Sequence, residues 1–310
     1  MEAPRNSTTY GMLLPSLSNK KVLLFFITCL SVHFSQAQFL LTDSIPYQPK
    51  KITTLSIATG AVYGISMIAL NEAWYKENSR QDFHFFNDAA EWKQVDKAGH
   101  FYSAFYLSAL SAQAINQCGV KAKKSALLGS LSGFVILSTI EIFDGYSEAY
   151  GASVSDLLAN TGGGAFYWWQ QYHWQELRIQ PKFSFHRTSF APLRPALLGE
   201  NLATEILKDY NGQTYWLSAD MDKFMHFPKW LNLAVGYGAH NMVYARDATN
   251  ALNGYDAYRQ YYLSIDFDLT AIETNSKFVR GLLKALSVVK LPAPALEMNK
   301  KGFKFHPFYF

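Results

Sequence analysis

Hydrophobic and polar positions change their period once along the chain, near residue 178. Before that point four long stretches are apolar, with polar residues gathered at their ends. Ile52 to Leu70 carries no charge and holds Gly60-Ala61-Val62-Tyr63-Gly64, a spacing of small residues that lets helices approach closely. A second helix is predicted from Asp96 to Gln117, its apolar run beginning at Phe101, and a third from Ser125 to Phe143, with Gly129 and Gly133 as a close-packing pair. A fourth runs from Ser153 to about Trp174. Asn71 to Val95 joins the first two as a polar, aromatic connector, as expected near an interface or for a lid. Four such segments, the last three joined by short turns, predict four antiparallel helices.

Beyond Arg178 the alternation shortens to two. Ser264-Ile265-Asp266-Phe267-Asp268-Leu269-Thr270 alternates strictly, and strands are expected within Lys182–Phe190, Gln213–Ser218, Trp230–Tyr244, Tyr258–Thr270 and Lys304–Phe310. Leu197–Lys208 and Val279–Val288 read as short helices. The terminal Phe310 and the aromatics at 305, 308 and 309 are like the last strand of an outer-membrane barrel, against which Pro307 counts. The expected fold is α+β. A four-helix hydrophobic bundle over residues 39–177 precedes a β-rich, barrel-like half over 178–310, an incomplete or helix-plugged barrel.

Residues 1–38 read as a secretory leader. Lys20 and Lys21 precede the apolar run Val22 to Phe34, and Ser35-Gln36-Ala37 supplies a small-residue cleavage site. The run is short of the roughly 20 residues a spanning helix needs. Cys29 follows Phe26-Ile27-Thr28, which lacks the small residue expected before an acylated cysteine, so ordinary cleavage near Ala37 is expected. Removal of the leader leaves Cys118 alone, a small core residue with no disulfide partner.

Composition adds to the membrane reading. Of the 310 residues, 49% are hydrophobic and 16% aromatic, and 17% are charged against about 25% in ordinary soluble domains. The net charge of +4 is small and spread out, which speaks against nucleic acid as a partner. Lys50, Lys51, Lys121, Lys123, Lys124 and Arg178 fall at one end of the predicted bundle; Glu72, Asp96, Glu141, Asp144 and Asp156 fall at the other. The positive-inside rule would place the lysine end of an inner-membrane protein in the cytoplasm, whereas a cleaved leader places Lys50 and Lys51 outside. An exported protein of the outer membrane or periplasm is therefore expected, with the inner membrane as the alternative and membrane lipid or envelope components as partners.

Candidate chemistry collects at the acidic end. Asp96 and His100, Glu141 and Asp144, and Asp156 and Asn160 are each spaced to share a helix face. In an up-down bundle these clusters, with Lys97 and Ser153, meet at one pole. Asp96 can cap the second helix, and Ser153 with Asp156 forms a capping box at the fourth. Capping does not account for Glu141 or Asp144, since carboxylates at a helix C-terminus oppose its dipole. A cation is expected beside them: Lys97, protonated His100, a metal or a ligand. Three chemistries fit, namely a divalent metal held by His100, Glu141, Asp144 and Asp156, a His–carboxylate acid–base pair, or an ion network that includes Asp96, Lys97, Ser153 and Asn160 and fixes the bundle. The metal spacing matches no standard motif. No Gly-rich phosphate loop, zinc-type cysteine pair or serine nucleophile elbow occurs.

Asp96-Lys97-x-x-His100-Phe101, then Glu141-x-x-Asp144, then Ser153-x-x-Asp156-x-x-x-Asn160-x-x-Gly163 resembles the pattern shared by the VanZ-like and YfiM-type families. The second of these comprises periplasmic lipoproteins of unknown function. Lys208–Ser218 and Pro228–Asn232 with Gly236-Tyr237-Gly238 are similar to longer envelope members of the YfiM-type group. The resemblance implies an envelope protein and supplies no activity. The expectation is a structural or binding role, with a lipid- or glycan-acting enzyme and a small-molecule or ion conduit as alternatives.

Overall fold

The structure, a computed structural model, describes residues 40–70, 79–148 and 150–310. The expected leader, its cleavage site and Cys29 lie outside the described residues, as do Asn71, Glu72, Trp74 and Tyr75 of the connector.

The first helix, α1 (Pro49–Leu70), is tied to α3 (Ala122–Gly145) by the Tyr63 hydroxyl, which donates to Thr139 Oγ1. Its Ile57, Ile65 and Ile68 are exposed, and Gly60 and Gly64 face open space rather than a neighbouring helix. α2 (Val95–Asn116), α3 and α4 (Val154–His173) pack against one another. Small residues make the α2–α3 crossing. A Cβ on Gly129 would lie 2.5 Å from the Ala112 Cβ, and one on Gly133 would lie 2.5 Å from the Ser108 hydroxyl, so only glycine admits this approach. Phe105, Ala109, Ala112, Ala126 and Tyr167 fill the space between the helices, with the Phe105 and Tyr167 rings edge to face at 5.7 Å.

The second half is a six-stranded antiparallel sheet in sequence order: β1 (Ile179–Phe185), β2 (Gln213–Ala219), β3 (Leu231–His240), β4 (Tyr258–Phe267), β5 (Ala293–Asn299) and β6 (Gly302–Tyr309). Helices α5 (Leu202–Lys208), α6 (Asp247–Leu252) and α7 (Lys277–Leu286) lie in the connections. The sheet does not close into a barrel. The free edge of β1 is already taken, because the Phe183 N–H donates to the Val288 carbonyl and the Lys290 N–H to that of Phe183. Six strands also fall short of the eight of the smallest membrane barrels.

One face of the sheet is polar and buried. Lys182 Nζ lies 2.5 Å from Asp266, which also accepts the Ser218 hydroxyl at 2.6 Å. The Tyr309 hydroxyl donates to that of Tyr262 at 2.8 Å and lies 2.9 Å from that of Thr214, while His306 pairs with Glu297 at 2.7 Å. Such groups are costly to bury and are retained only because each finds partners.

Candidate functional site

The site begins with an unusual entry into α2. Trp92, Lys93 and Gln94 all have left-handed backbone angles, with φ of 47°, 53° and 64°. None is glycine, and each such residue costs about 1–2 kcal/mol. The second half of the chain holds the turn. The Trp92 N–H donates to the Ala245 carbonyl at 2.8 Å, Lys93 Nζ meets Asp247 at 2.5 Å, the Tyr237 hydroxyl donates to the Lys93 carbonyl, and Arg259 donates to the Gln94 side chain. The residue that caps α2 is therefore Gln94 and not Asp96, which sits inside the first turn and accepts the Lys97 N–H at 2.9 Å.

From this entry α2 presents Lys97 and His100 to the start of α4 and the end of α3. Lys97 Nζ lies among three carboxylates, 2.5 Å from Asp88, 2.7 Å from Asp96 and 2.9 Å from Asp156. Ser153 caps α4 by accepting the Asp156 N–H at 3.0 Å, and its hydroxyl donates to Asp88 at 2.6 Å. The backbone N–H of Ser153 donates to Glu141 Oε2 at 3.0 Å, which ties the end of α3 to the start of α4. His100 is held through Nδ1, 3.0 Å from Asn160 Oδ1. Its Nε2 faces Asp156 Oδ1 at 3.7 Å and Glu141 Oε1 at 4.0 Å. Both separations exceed a hydrogen bond, so the imidazole faces two carboxylates without bonding to either.

Burial and charge set the protonation of the cluster. Burial raises Glu141 to about 8, helped by the charges of Asp156 and Asp144. Burial also lifts Asp96 to about 6 against the pull of Lys97, and it raises Asp156 despite His100 and Lys97. Asp88 is the exception. Burial alone would raise it, but hydrogen bonds from Lys97, Ser153 and Ser155 hold it at about 2. Lys97 is pushed above the ordinary lysine value by its carboxylates, which outweigh the burial that would lower it.

A cleft of about 550 Å³ opens beside His100, between the bundle and the sheet. Asp96, Asp144, Tyr102, Tyr150, Tyr210 and Tyr215 contribute polar groups to its wall; Leu137, Ile140, Phe183 and Leu207 contribute apolar ones. α2 comes close enough to the sheet here that a Cβ on Gly99 would lie 2.8 Å from the Tyr215 hydroxyl. Burial pushes the hydroxyls of Tyr102, Tyr210 and Tyr215 well above the usual tyrosine range, so they remain donors.

Among the described residues two groups have ligand atoms close enough for one ion, within 4.8 Å of one another: His100, Glu141 and Asp156; and Asp88, Asp96 and Asp156. The Lys97 ammonium occupies the second. In the first, one imidazole and two carboxylates converge, a donor set suited to Mn²⁺ or Zn²⁺. Asn160 is completely buried and its Nδ2 has no hydrogen-bond partner among the described residues.

The structure thus brings together Asp96, Lys97, His100, Glu141, Ser153, Asp156 and Asn160. Asp144 lines the same cleft as His100, and its charge acts on Glu141. Asp88 was missed in the sequence, although it is an acid within the aromatic connector after Phe83, Phe85 and Phe86. Tyr210 and Tyr215 were missed as well, since only the tertiary fold carries them to the pole.

Residues 82–171 match the family model described as Predicted periplasmic lipoprotein (DUF2279). The DUF2279 match contains Asp88 and every site residue named above except Tyr210, Tyr215 and the other cleft residues of the second half. The family's description agrees with an exported protein of the periplasm or outer membrane. No curated protein and no solved structure gives a significant match.

Proposed function

We propose that this envelope protein is an enzyme acting on an amphiphilic envelope lipid or glycan, with His100 as its acid–base group. One observation carries the reading: His100 is oriented by Asn160 through Nδ1, while Nε2 is directed at two buried carboxylates beside a tyrosine-lined cleft. A ring nitrogen held in this way leaves the other free to take a proton or a metal ion. The cleft combines apolar walls with hydroxyl donors, as a substrate with an acyl part and a polar head would require. A divalent cation held by His100, Glu141 and Asp156 would supply Lewis-acid polarisation of a substrate oxygen. In this reading α1, joined to α3 through Tyr63 and Thr139, is the fourth helix of the bundle.

A second reading, a purely structural ion network, is favoured by Lys97 and its three carboxylates, which already satisfy one another. The two readings separate in one experiment. Purified chain is incubated with envelope lipid and glycan fractions, products are followed by mass spectrometry, and melting temperatures are recorded for His100→Ala, Glu141→Gln and Asp156→Asn. The enzymatic reading expects turnover by the wild type and its loss in variants that melt at or above the wild-type temperature. Variants that all melt lower, with no turnover by the wild type in any fraction, overturn it in favour of the network.

A further inference from the structure

The sheet has its polarity inverted. Its buried face carries Lys182, Ser218, Asp266, Glu297 and His306, the last two of which line a cavity of about 470 Å³ near His186 and His240. Its other face is apolar along directly opposed positions. Leu217, Val235, Leu263, Leu296 and Phe305 stand opposite one another across β2 to β6. Val235 and Leu263 are each 55% exposed, and Phe305 is 64% exposed. A second row continues through Tyr261, Met298 and Phe303.

The same face already shows what covers it where cover exists. Over β1 and β2 it seats on the bundle, where Phe183 and Tyr215 pack against Tyr102 with ring centroids 6.1 and 5.9 Å apart. At the Tyr237 and Arg259 end of β3 and β4 the Trp92–Gln94 turn still touches this face; over the rest of β3 to β6 no described residue replaces that cover. Apolar residues outward and polar residues inward is the arrangement of strands that meet lipid, opposite to that of a sheet facing water.

We propose that the bare face of β3 to β6 lies against the acyl chains of an envelope bilayer, seated in one leaflet. The dimensions agree. From Leu231 to Tyr237 a strand rises about 20 Å, which at a tilt of about 40° gives about 15 Å, half of a hydrocarbon core of about 30 Å. The ends of the band carry interface residues. Exposed Trp230 stacks on Phe267 at one end; at the other the β5–β6 turn carries Lys300 and Lys301, with Lys301 Nζ 4.7 Å over the Tyr258 ring. Aromatic rings suit the headgroup level, and lysine at that level complements anionic headgroups.

The test places an environment-sensitive nitrobenzoxadiazole label on the full chain at Leu263→Cys, and separately at Val235→Cys, with Cys29 and Cys118 replaced by serine. Labelled protein is mixed with phosphatidylethanolamine–phosphatidylglycerol vesicles. Nitroxide groups on the acyl chains should quench at least half of the fluorescence at both positions, and protection from aqueous iodide should appear only when vesicles are added. Iodide quenching in vesicles equal to that of the urea-unfolded chain overturns the proposal. So does iodide protection that needs no lipid and grows with protein concentration, which would identify a second copy of the chain as the cover. A label position that lowers the melting temperature is set aside in favour of the other.

Discussion

Lys97→Met tests the ionic centre most directly. The side chains of Lys97, Asp88, Asp96 and Asp156 are each only 10 to 14% exposed, and the ammonium lies within 2.9 Å of all three carboxylates. Removing one partner from a buried ionic group costs about 3–5 kcal/mol, because the charges left behind are neither paired nor hydrated. Methionine keeps the length and apolar stem of lysine, so lost packing adds little. For a domain of this size about 1 kcal/mol moves the melting temperature by about 2–4 °C, which predicts a fall of about 6–20 °C at pH 7. Differential scanning calorimetry reads this directly. The loss should also depend on pH. Asp88, held at about 2 in the folded chain, contributes stability that is present above its unfolded value and lost as pH falls through 2. The gap between wild type and Lys97→Met should therefore be full near neutrality and narrow between about pH 4 and pH 2. Adding Asp88→Asn to Lys97→Met should cost less than the sum of the two single changes. A Lys97→Met chain that melts within about 2 °C of wild type at pH 7, less than 1 kcal/mol, would refute the reasoning.

Three further outcomes are expected. Mn²⁺ or Zn²⁺ at a hundredfold excess over Kd should stabilise chelator-treated wild type by about 2.7 kcal/mol, seen as a raised melting temperature, and should leave His100→Ala unmoved; calorimetric titration checks both. In chelator-treated protein, Glu141 at about 8 and Asp96 at about 6 bind protons more tightly folded than unfolded, so stability should fall as pH rises from about 4 to about 8, and Glu141→Gln should flatten the upper part of that range in urea titrations. Gly133→Leu should prevent α2 and α3 from meeting and cost at least about 1–3 kcal/mol, whereas Gly60→Leu, facing open space, should melt like the wild type.

What could be read from the chain divides along physical lines. The four long helices were visible because apolar runs of that length bounded by polar residues have few other solutions, and each lies within three residues of its expected limits. The meeting of Glu141 with Ser153 and of His100 with Asn160 followed from up-down topology and four-residue spacing alone. β5 escaped notice because both of its faces are apolar or small: Ala293 and Ala295 point inward, Pro294, Leu296 and Met298 outward, and only Glu297 and the terminal Asn299 are polar. β6 forms despite Pro307, since the register shifts beside it and the ladder skips that residue. Asp88 has no helix periodicity to advertise it. The barrel expectation failed because alternation reports two unlike faces but not the pairing of the edges, and the edge of β1 is spent on Val288 to Lys290.

The left-handed turn at Trp92, Lys93 and Gln94 has a consequence for how the molecule can be divided. Three such residues store about 3–6 kcal/mol, and from the second half of the chain Tyr237, Ala245, Asp247 and Arg259 hold them in place. A chain cut after the bundle would release that spring. α2 would be free to wind backward through the turn, and the strand of chain bearing Asp88 would swing away from Lys97. The segment that carries the recognisable motif is thus not a self-sufficient cassette: half of its spatial grammar is written more than a hundred residues downstream.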